Sequence, residues 1–250
     1  MYDLQKASVG KRISAFLLDV ILFVILATAA ALLISTVVGY DGYVAQYEAL
    51  EKEYSDTYGI KLDLSDEEEA QLTDEDKAKM KAADEAFSKD ERAISLYGTM
   101  LSLILVILSL SPLISIFILE FLIPLFFHNG QTVGKKIFGI GVMQTNSVKI
   151  TTVALFARSV LGKYVIETAI PSVMFLIMLF GQDGFVPSLV ILGIIATNTV
   201  FLIRGRRMLI HDYLSYTVCV DLSSQMIFDT PEEAEAHRKK LIEERCDKTE

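Results

Sequence analysis

The sequence predicts an all-α membrane protein with four transmembrane helices, both termini in the cytoplasm, a small cytoplasmic β-hairpin or sheet and an extracytoplasmic helical or disordered insert. The 250-residue chain is 52% hydrophobic. It contains several apolar runs of about 20 residues or more, which is long enough to cross a bilayer. Charged residues make up 22% of the chain and are segregated into blocks. Four spans with both termini inside place every basic block in the cytoplasm, whereas three spans would put one on the wrong side.

Residues 1–38 form a basic lead and the first predicted span. Lys11 and Arg12 precede an apolar run from 13 to 38, and Asp19 interrupts that run. A carboxylate inside a span costs roughly 2.5–3.5 kcal/mol, so Asp19 needs a partner or a wet cavity. A signal peptide cleaved near Ala29 is the alternative, but the apolar run continues well beyond that point. We therefore expect a retained helix.

Residues 39–93 form an acidic extracytoplasmic insert with 17 acidic and 7 basic residues. Ser65 and Thr73 each precede a group of acids, which is a pattern typical of helix N-termini. Apolar residues are sparse, so disorder remains the alternative to a helical hairpin. Residues 41–92 are the segment that would bind a protein partner.

The membrane domain, residues 94–222, has further transmembrane helices near 96–127, 152–180 and 185–203. The helix near 96–127 is too long for one untilted span, so we expect it to project from the membrane or bend near Pro112. For 152–180 two layouts remain open, a single span or a surface helix over 152–166 with its bases snorkelling. Lys163 and Glu167 have the i, i+4 spacing of a helical ion pair.

The cytoplasmic segments include the loop 128–151 and the tail 223–250. In the loop, Asn146-Ser147 predicts a hairpin, and alternation before Asp221 predicts a strand that pairs with it. His211 and Asp212 are expected at the surface in a capping or loop-anchoring role. A tight turn is expected at 182–184, and arginines at 204, 206 and 207 mark the inner end of the last span. The sequence of the tail predicts a soluble helix with proline at its first position.

Several classes of function lack support in the sequence. The glycines of the loop 128–151 do not have the spacing of a phosphate loop. Cys219 and Cys246 lack metal-ligand spacing and are expected to be reduced thiols. No nucleophile–base pair is visible. We therefore expect no enzyme activity, no cofactor, no metal site and no nucleic-acid partner.

Charged side chains inside the spans are the candidate functional residues. At 1.5 Å per residue, Asp19, Glu120 and Arg158 each lie roughly 9–11 Å below the inner surface, with Glu167 deeper. One interpretation is a proton or cation relay, in which Asp19 and Glu120 bind the ion and Arg158 tunes them. The other is a static ion-pair network that joins the helices. Arg12 shares a helix face with Asp19 and completes the candidate set.

Three motifs occur in a distinctive order. They are Arg12-x2-Ala15-x3-Asp19, the run Gly130-Gln-Thr-Val-Gly134-Lys135 after the second span, and Asp212 in Ile-His-Asp-Tyr-Leu-Ser-Tyr. Together they resemble the RDD family of bacterial membrane proteins, whose signature positions here are Arg12, Asp19, Gly130, Gly134, Lys135 and Asp212. Two features depart from the family pattern: the long insert, and Gly141 where a base is common.

The resemblance implies a multi-pass protein of the bacterial inner (cytoplasmic) membrane, embedded in the lipid bilayer. Some members of the family are proposed to exchange sodium, lithium or other cations for protons. A small cation/proton transporter is therefore the first functional hypothesis, acting as a homo-oligomer because four helices enclose little space. The alternative is a non-transporting scaffold or assembly factor that acts through the acidic insert or the basic cytoplasmic loop.

Overall fold

The computed structural model describes residues 6–65, 68, 71–127, 129–180, 184–203 and 208–246. Its helices are α1 (Val9–Val38), α2 (Tyr40–Tyr58), α3 (Asp74–Phe87), α4 (Glu91–Ile116), α5 (Ile123–Phe126), α6 (Val133–Ile137), α7 (Thr152–Phe156), α8 (Ile170–Phe180), α9 (Phe185–Ile203), α10 (Ile210–Leu214) and α11 (Pro231–Cys246). Two π-helical segments, π1 (Phe117–Leu122) and π2 (Ala157–Ala169), continue α4 and α7. The strands are β1 (Ile140–Gln144) and β2 (Thr217–Asp221). The turn expected at 182–183 and the arginines at 204, 206 and 207 lie outside the described residues.

In the part of the chain that the structure describes, three helical runs are long and apolar enough to cross a membrane: Val9–Val38, Glu91–Phe126 and Thr152–Met178. The fourth predicted span corresponds to α9, whose apolar part, Phe185–Phe201, is shorter. The run predicted near 96–127 begins earlier, at Glu91, and contains Pro112 within α4. The run Thr152–Met178 includes the segment for which a surface helix was the alternative.

The chain divides into two compact units, Ala29–Ser111 and the remainder, Met1–Thr28 with Pro112–Glu250. In the first unit, the insert forms helices α2 and α3. Thr73 caps α3 by accepting the N–H of Asp76 at 3.2 Å, as the acids that follow it predict. The small core of this unit consists of Leu50, Phe87 and Ala93, with Tyr47, Tyr54, Leu62 and Leu96 packed against it.

The second unit contains the sheet that holds the cytoplasmic loop in place. β1 pairs antiparallel with β2, with Val142 opposite Cys219, and both strands are almost entirely buried. The predicted turn at Asn146-Ser147 reverses the chain, so that the N–H of Gln144 reaches the carbonyl of Val148 at 2.9 Å. The predicted pairing between the 140s and the strand ending at Asp221 is confirmed. It joins two segments that are far apart in sequence.

We expect Leu50→Ala to destabilise the α2–α3 unit by about 2–3 kcal/mol, because truncation leaves a cavity in a small core. Leu50 is 6% exposed, and the matched control is Ile94→Ala, at a side chain that is 57% exposed. The control should change stability by less than about 0.5 kcal/mol. Hydrogen exchange of residues 40–58 in the full-length, detergent-solubilised chain measures the difference. Equal protection in both variants would show that this core does not hold the helices.

Candidate functional site

A cavity of about 520 Å³ lies within the second unit. Part of its wall is apolar, formed mainly by Ile13, Phe16, Val20, Phe23, Ile116 and Leu119. Charged side chains line the rest. The five residues that the sequence singled out as relay candidates all belong to this wall: Arg12, Asp19, Glu120, Arg158 and Glu167. Lys135, Lys163 and His211 line it as well.

Asp212 is fully buried between two guanidinium groups. Arg158 donates to one of its carboxylate oxygens, and Arg12 approaches the other at 3.5 Å. The second oxygen also accepts the N–H of Leu209 at 3.1 Å, so Asp212 caps the helix on which it lies. Burial opposes its ionisation, but the Arg158 guanidinium outweighs that effect and holds the pKa of Asp212 well below its usual range. This carboxylate is therefore ionised at neutral pH.

Glu120 has two lysine partners. Lys163 on π2 forms an ion pair with one oxygen, and Lys135 on α6 lies 3.6 Å from the other. The backbone of Glu120 is also held in place, because the hydroxyl of Ser159 donates to its carbonyl oxygen at 2.6 Å. Glu120 and Lys163 both lie in π-helical segments. π-Helical segments are rare in proteins and occur frequently at functional sites.

Asp19 joins the first span to the N-terminus of α6. One of its oxygens accepts the hydroxyl of Thr132 at 2.5 Å, and the other accepts the N–H of Gly134 at 2.8 Å. A Cβ at residue 134 would lie 2.3 Å from the carbonyl oxygen of Ala15, so only glycine allows this approach. Both donors to Asp19 are neutral. In the described part of the chain, no lysine or arginine forms a salt bridge with it.

Glu167 contacts the ring of His211. The Nδ1 atom of His211 lies 3.0 and 2.9 Å from the two carboxylate oxygens, and with a proton on Nδ1 the neutral ring donates to Glu167. The helices approach closely here, since a Cβ at Gly162 would lie 2.5 Å from the Cβ of His211. Burial lowers the pKa of His211, although the charge of Asp212 acts in the opposite direction. The ring is therefore neutral at pH 7.

The charges around the cavity balance. Four cations, Arg12, Lys135, Arg158 and Lys163, line the wall together with three carboxylates, Asp19, Glu120 and Glu167. Asp212, held by two of the arginines, supplies the fourth carboxylate directly behind the wall. With His211 neutral, these eight groups sum to zero. Any net charge that enters must therefore be compensated or must change a protonation state.

The predicted residues surround one cavity, but several pair differently from what their spacing predicts. Lys163 pairs with Glu120 rather than with Glu167. Lys163 and Glu167 both lie in π2, where the i, i+4 spacing of an α-helix does not bring side chains together. Arg158, expected beside the acids of the first two spans, pairs with Asp212. The expectation that Asp212 lies at the surface was wrong, and so was that for His211, because both are buried.

Two lysines and one histidine that line the cavity were not among the predicted relay candidates: Lys135, Lys163 and His211. Lys135 had one usable signal, the helix cap Thr132 three residues earlier, which fixes the turn that buries it. The local signal of Lys163, its i, i+4 spacing to Glu167, indicates a partner other than Glu120. His211 carries no local signal that indicates its partner. Among the described residues, no group of three or more His, Cys, Asp or Glu side chains is placed to hold a metal ion.

We expect Asp212→Ala to destabilise the protein by about 3–5 kcal/mol, because it leaves the buried Arg158 without its carboxylate. The matched control is Asp229→Ala, which removes the exposed partner of Lys149 at 2.5 Å. The control should cost less than about 1 kcal/mol. Thermal unfolding of both variants in detergent tests this. If Asp212→Ala lowers the stability no more than the control does, water must compensate the charge of Arg158 when Asp212 is absent.

The model of the RDD family matches residues 6–216, which is most of the chain. The matched region contains Arg12, Asp19, Glu120, Arg158 and Asp212. Comparison with curated proteins and with solved structures gave no match. The three long apolar helices agree with embedding in a lipid bilayer. The chain is a membrane protein that belongs to the RDD family.

Proposed function

We propose that the chain is a small transporter that exchanges a monovalent cation, such as sodium, for a proton. The supporting observation is the balanced set of cations and carboxylates around one cavity. Charge inside a membrane is costly, so a balanced cluster accepts an additional cation readily only when another positive charge leaves. Release of a proton restores the balance. The two ions would then move in opposite directions.

Glu120 is the proposed cation ligand. Its two oxygens now face Lys135 and Lys163. A metal cation that binds these oxygens takes the place of a lysine ammonium, and the displaced lysine loses its proton because it is left without a carboxylate. The carboxylate of Asp19, on the same wall, would supply further oxygen ligands for the cation. Arg12 and Arg158 remain fixed by Asp212 and set the positive potential that limits how many cations enter.

Glu167 and His211 form the proposed proton site. The imidazole is the side chain whose ordinary pKa is nearest to physiological pH, and here it is in hydrogen-bond contact with a carboxylate. Protonation of His211 would add a positive charge that Glu167 and Asp212 both face. The neutral ring would accept the proton that the displaced lysine releases and pass it out of the cavity, so that the resting charge balance is kept.

The proposed topology has four spans with both termini in the cytoplasm, in the bacterial inner membrane. α9 has 19 residues. At 1.5 Å per residue that is about 28 Å, close to the hydrocarbon core of about 30 Å. Lys135, Lys136 and Lys149 lie in the loop assigned to the cytoplasm, in accordance with the positive-inside rule. The proposal includes a homo-oligomer, because a chain of four spans is small for a transporter.

A second candidate is a non-transporting scaffold or assembly factor. It is favoured by the separate α2–α3 unit, which has its own core and an acidic composition. Such a unit would bind a basic protein through residues 41–92. Crosslinking that recovers a stable partner, lost when 41–92 is deleted from a chain that moves no ions, would favour it. Neither candidate involves an enzymatic reaction.

Purified protein in liposomes should move sodium against an imposed pH gradient. Glu120→Gln should lower the initial rate at least about tenfold, because it removes one carboxylate from the balanced set. Asp19→Asn should also lower it. Asp229→Asn is the control, since Asp229 pairs with Lys149 away from the cavity. Wild-type protein that moves no sodium, lithium or potassium, or a Glu120→Gln rate equal to that of the control, would contradict the proposal.

Stability should decrease as the pH falls below about 6.5, the ordinary histidine pKa. Burial lowers the pKa of His211 in the folded protein, so the unfolded chain binds more protons in this range. The contribution is fully present above about pH 6.5 and is lost below it. His211→Gln should flatten the dependence, whereas His237→Gln on α11 should retain it. Melting temperatures in detergent between about pH 7.5 and 5 measure both. If the melting temperature depends on pH with the same slope in the wild type and in His211→Gln, the pKa of His211 is not the cause of the dependence.

A further inference from the structure

We propose that the cavity binds a zwitterionic aminophospholipid, which inserts its head group among the charged residues and the beginning of an acyl chain along α1. The ligand class is an amphiphile whose head carries one phosphate and one primary ammonium. This binding function goes beyond ion exchange and does not depend on it.

The cavity is larger than an ion requires. Its volume of about 520 Å³ falls among ligand pockets rather than ion sites. Pockets for organic ligands measure about 300–1,000 Å³, whereas one water molecule takes up about 30 Å³ of liquid. A bound monovalent cation with a few waters would leave most of the space empty. The cavity therefore has room for an organic ligand.

The apolar part of the wall reaches the outside of the protein. Ile13 and Phe16 line the cavity, and both are also more than half exposed. They belong to α1, one of the runs that can cross the membrane, so lipid chains cover their exposed surface. Val20 and Phe23 continue the same apolar wall along the helix. An amphiphile can thus enter from the bilayer without leaving its acyl chain in water.

The polar part of the wall has one region with excess positive charge and another with excess negative charge. Around Glu120, two lysines face one carboxylate, which leaves one positive charge in excess. Asp19 and Glu167, in contrast, are held by neutral donors: a hydroxyl, a backbone N–H and a neutral imidazole. In the described part of the chain, neither carboxylate forms a salt bridge with a lysine or arginine. A phosphate fits the first surplus, and an ammonium fits the second.

The zero net charge of the cavity favours some lipid head groups over others. Phosphatidylglycerol would bring an uncompensated negative charge into a neutral cavity, which is costly. Phosphatidylcholine is neutral, but its quaternary ammonium has no N–H donor for Asp19 or Glu167. Phosphatidylethanolamine meets both requirements. Its zwitterionic head adds no net charge and supplies three donors.

The test uses the full-length chain, delipidated in detergent and titrated with the three lipids, all with the same acyl chains. Native mass spectrometry and thermal shift report binding. Phosphatidylethanolamine should bind about tenfold more tightly than the other two, which corresponds to about one charge-assisted pair. Equal affinity for all three, as for a lipid that merely surrounds the protein, overturns the proposal. Soluble glycerophosphoethanolamine, a zwitterionic phosphodiester with the same head group and no acyl chain, is the second probe, and binding as tight as that of the lipid overturns the lipid as the source.

Phe16→Ala and Leu17→Ala form a matched pair of variants. The two residues are adjacent and similarly exposed, at 62% and 56%, but Phe16 lines the cavity, and Leu17 is not one of the lining residues in the described part of the chain. Phe16→Ala should weaken phosphatidylethanolamine binding at least about fivefold through lost apolar contact, and Leu17→Ala less than about twofold. Because both side chains are exposed, neither truncation should prevent folding, which the melting temperature verifies. Equal affinities in the two variants overturn the proposal.

Discussion

The buried carboxylate of Asp212 is the interaction on which the rest of the second unit depends. An ionised group without exposed surface costs several kcal/mol unless charged partners compensate it. Asp212 finds them in Arg12 from the first helix and Arg158 from π2. Three segments that are far apart in sequence must therefore meet at one point. Because Arg158 also reaches Thr217 at 2.7 Å, the same point fixes the beginning of β2.

This arrangement determines how the other carboxylates are held. Once both arginines are committed to Asp212, Asp19 and Glu167 must rely on neutral donors, and the lysines are left to Glu120. Close backbone approaches make those donors available. Gly134 lies against the first helix, and Gly162 lies against α10, at distances that no side chain would permit. The uneven distribution of charge within a balanced total thus follows from the packing of a few small residues.

Local features of the sequence predicted the helices, the cap at Thr73 and the pairing of the two strands, because length, apolarity and alternation are properties of short segments. The ion pairs could not be predicted in this way. The spacing of Lys163 and Glu167 implies a pair only in an α-helix, and nothing in the sequence indicates that π2 extends over both. The motifs included Asp212, yet its burial depends on residues more than 50 positions away along the chain. The matching depths of Asp19, Glu120 and Arg158 predicted one charged cluster, and all three line one cavity. The ion pairs expected among them are replaced by pairs with other residues.

The two proposed ligands of the cavity place compatible demands on its charges. A zwitterion adds no net charge, so a bound lipid head group would leave the balance between cations and carboxylates intact. Its ammonium would occupy Asp19 or Glu167, which have neutral partners, while Glu120 would remain with its lysines. A metal cation, in contrast, must displace a lysine at Glu120 and so changes a protonation state. Lipid binding would thus restrict the oxygens open to a cation to those at which cation entry is coupled to proton release.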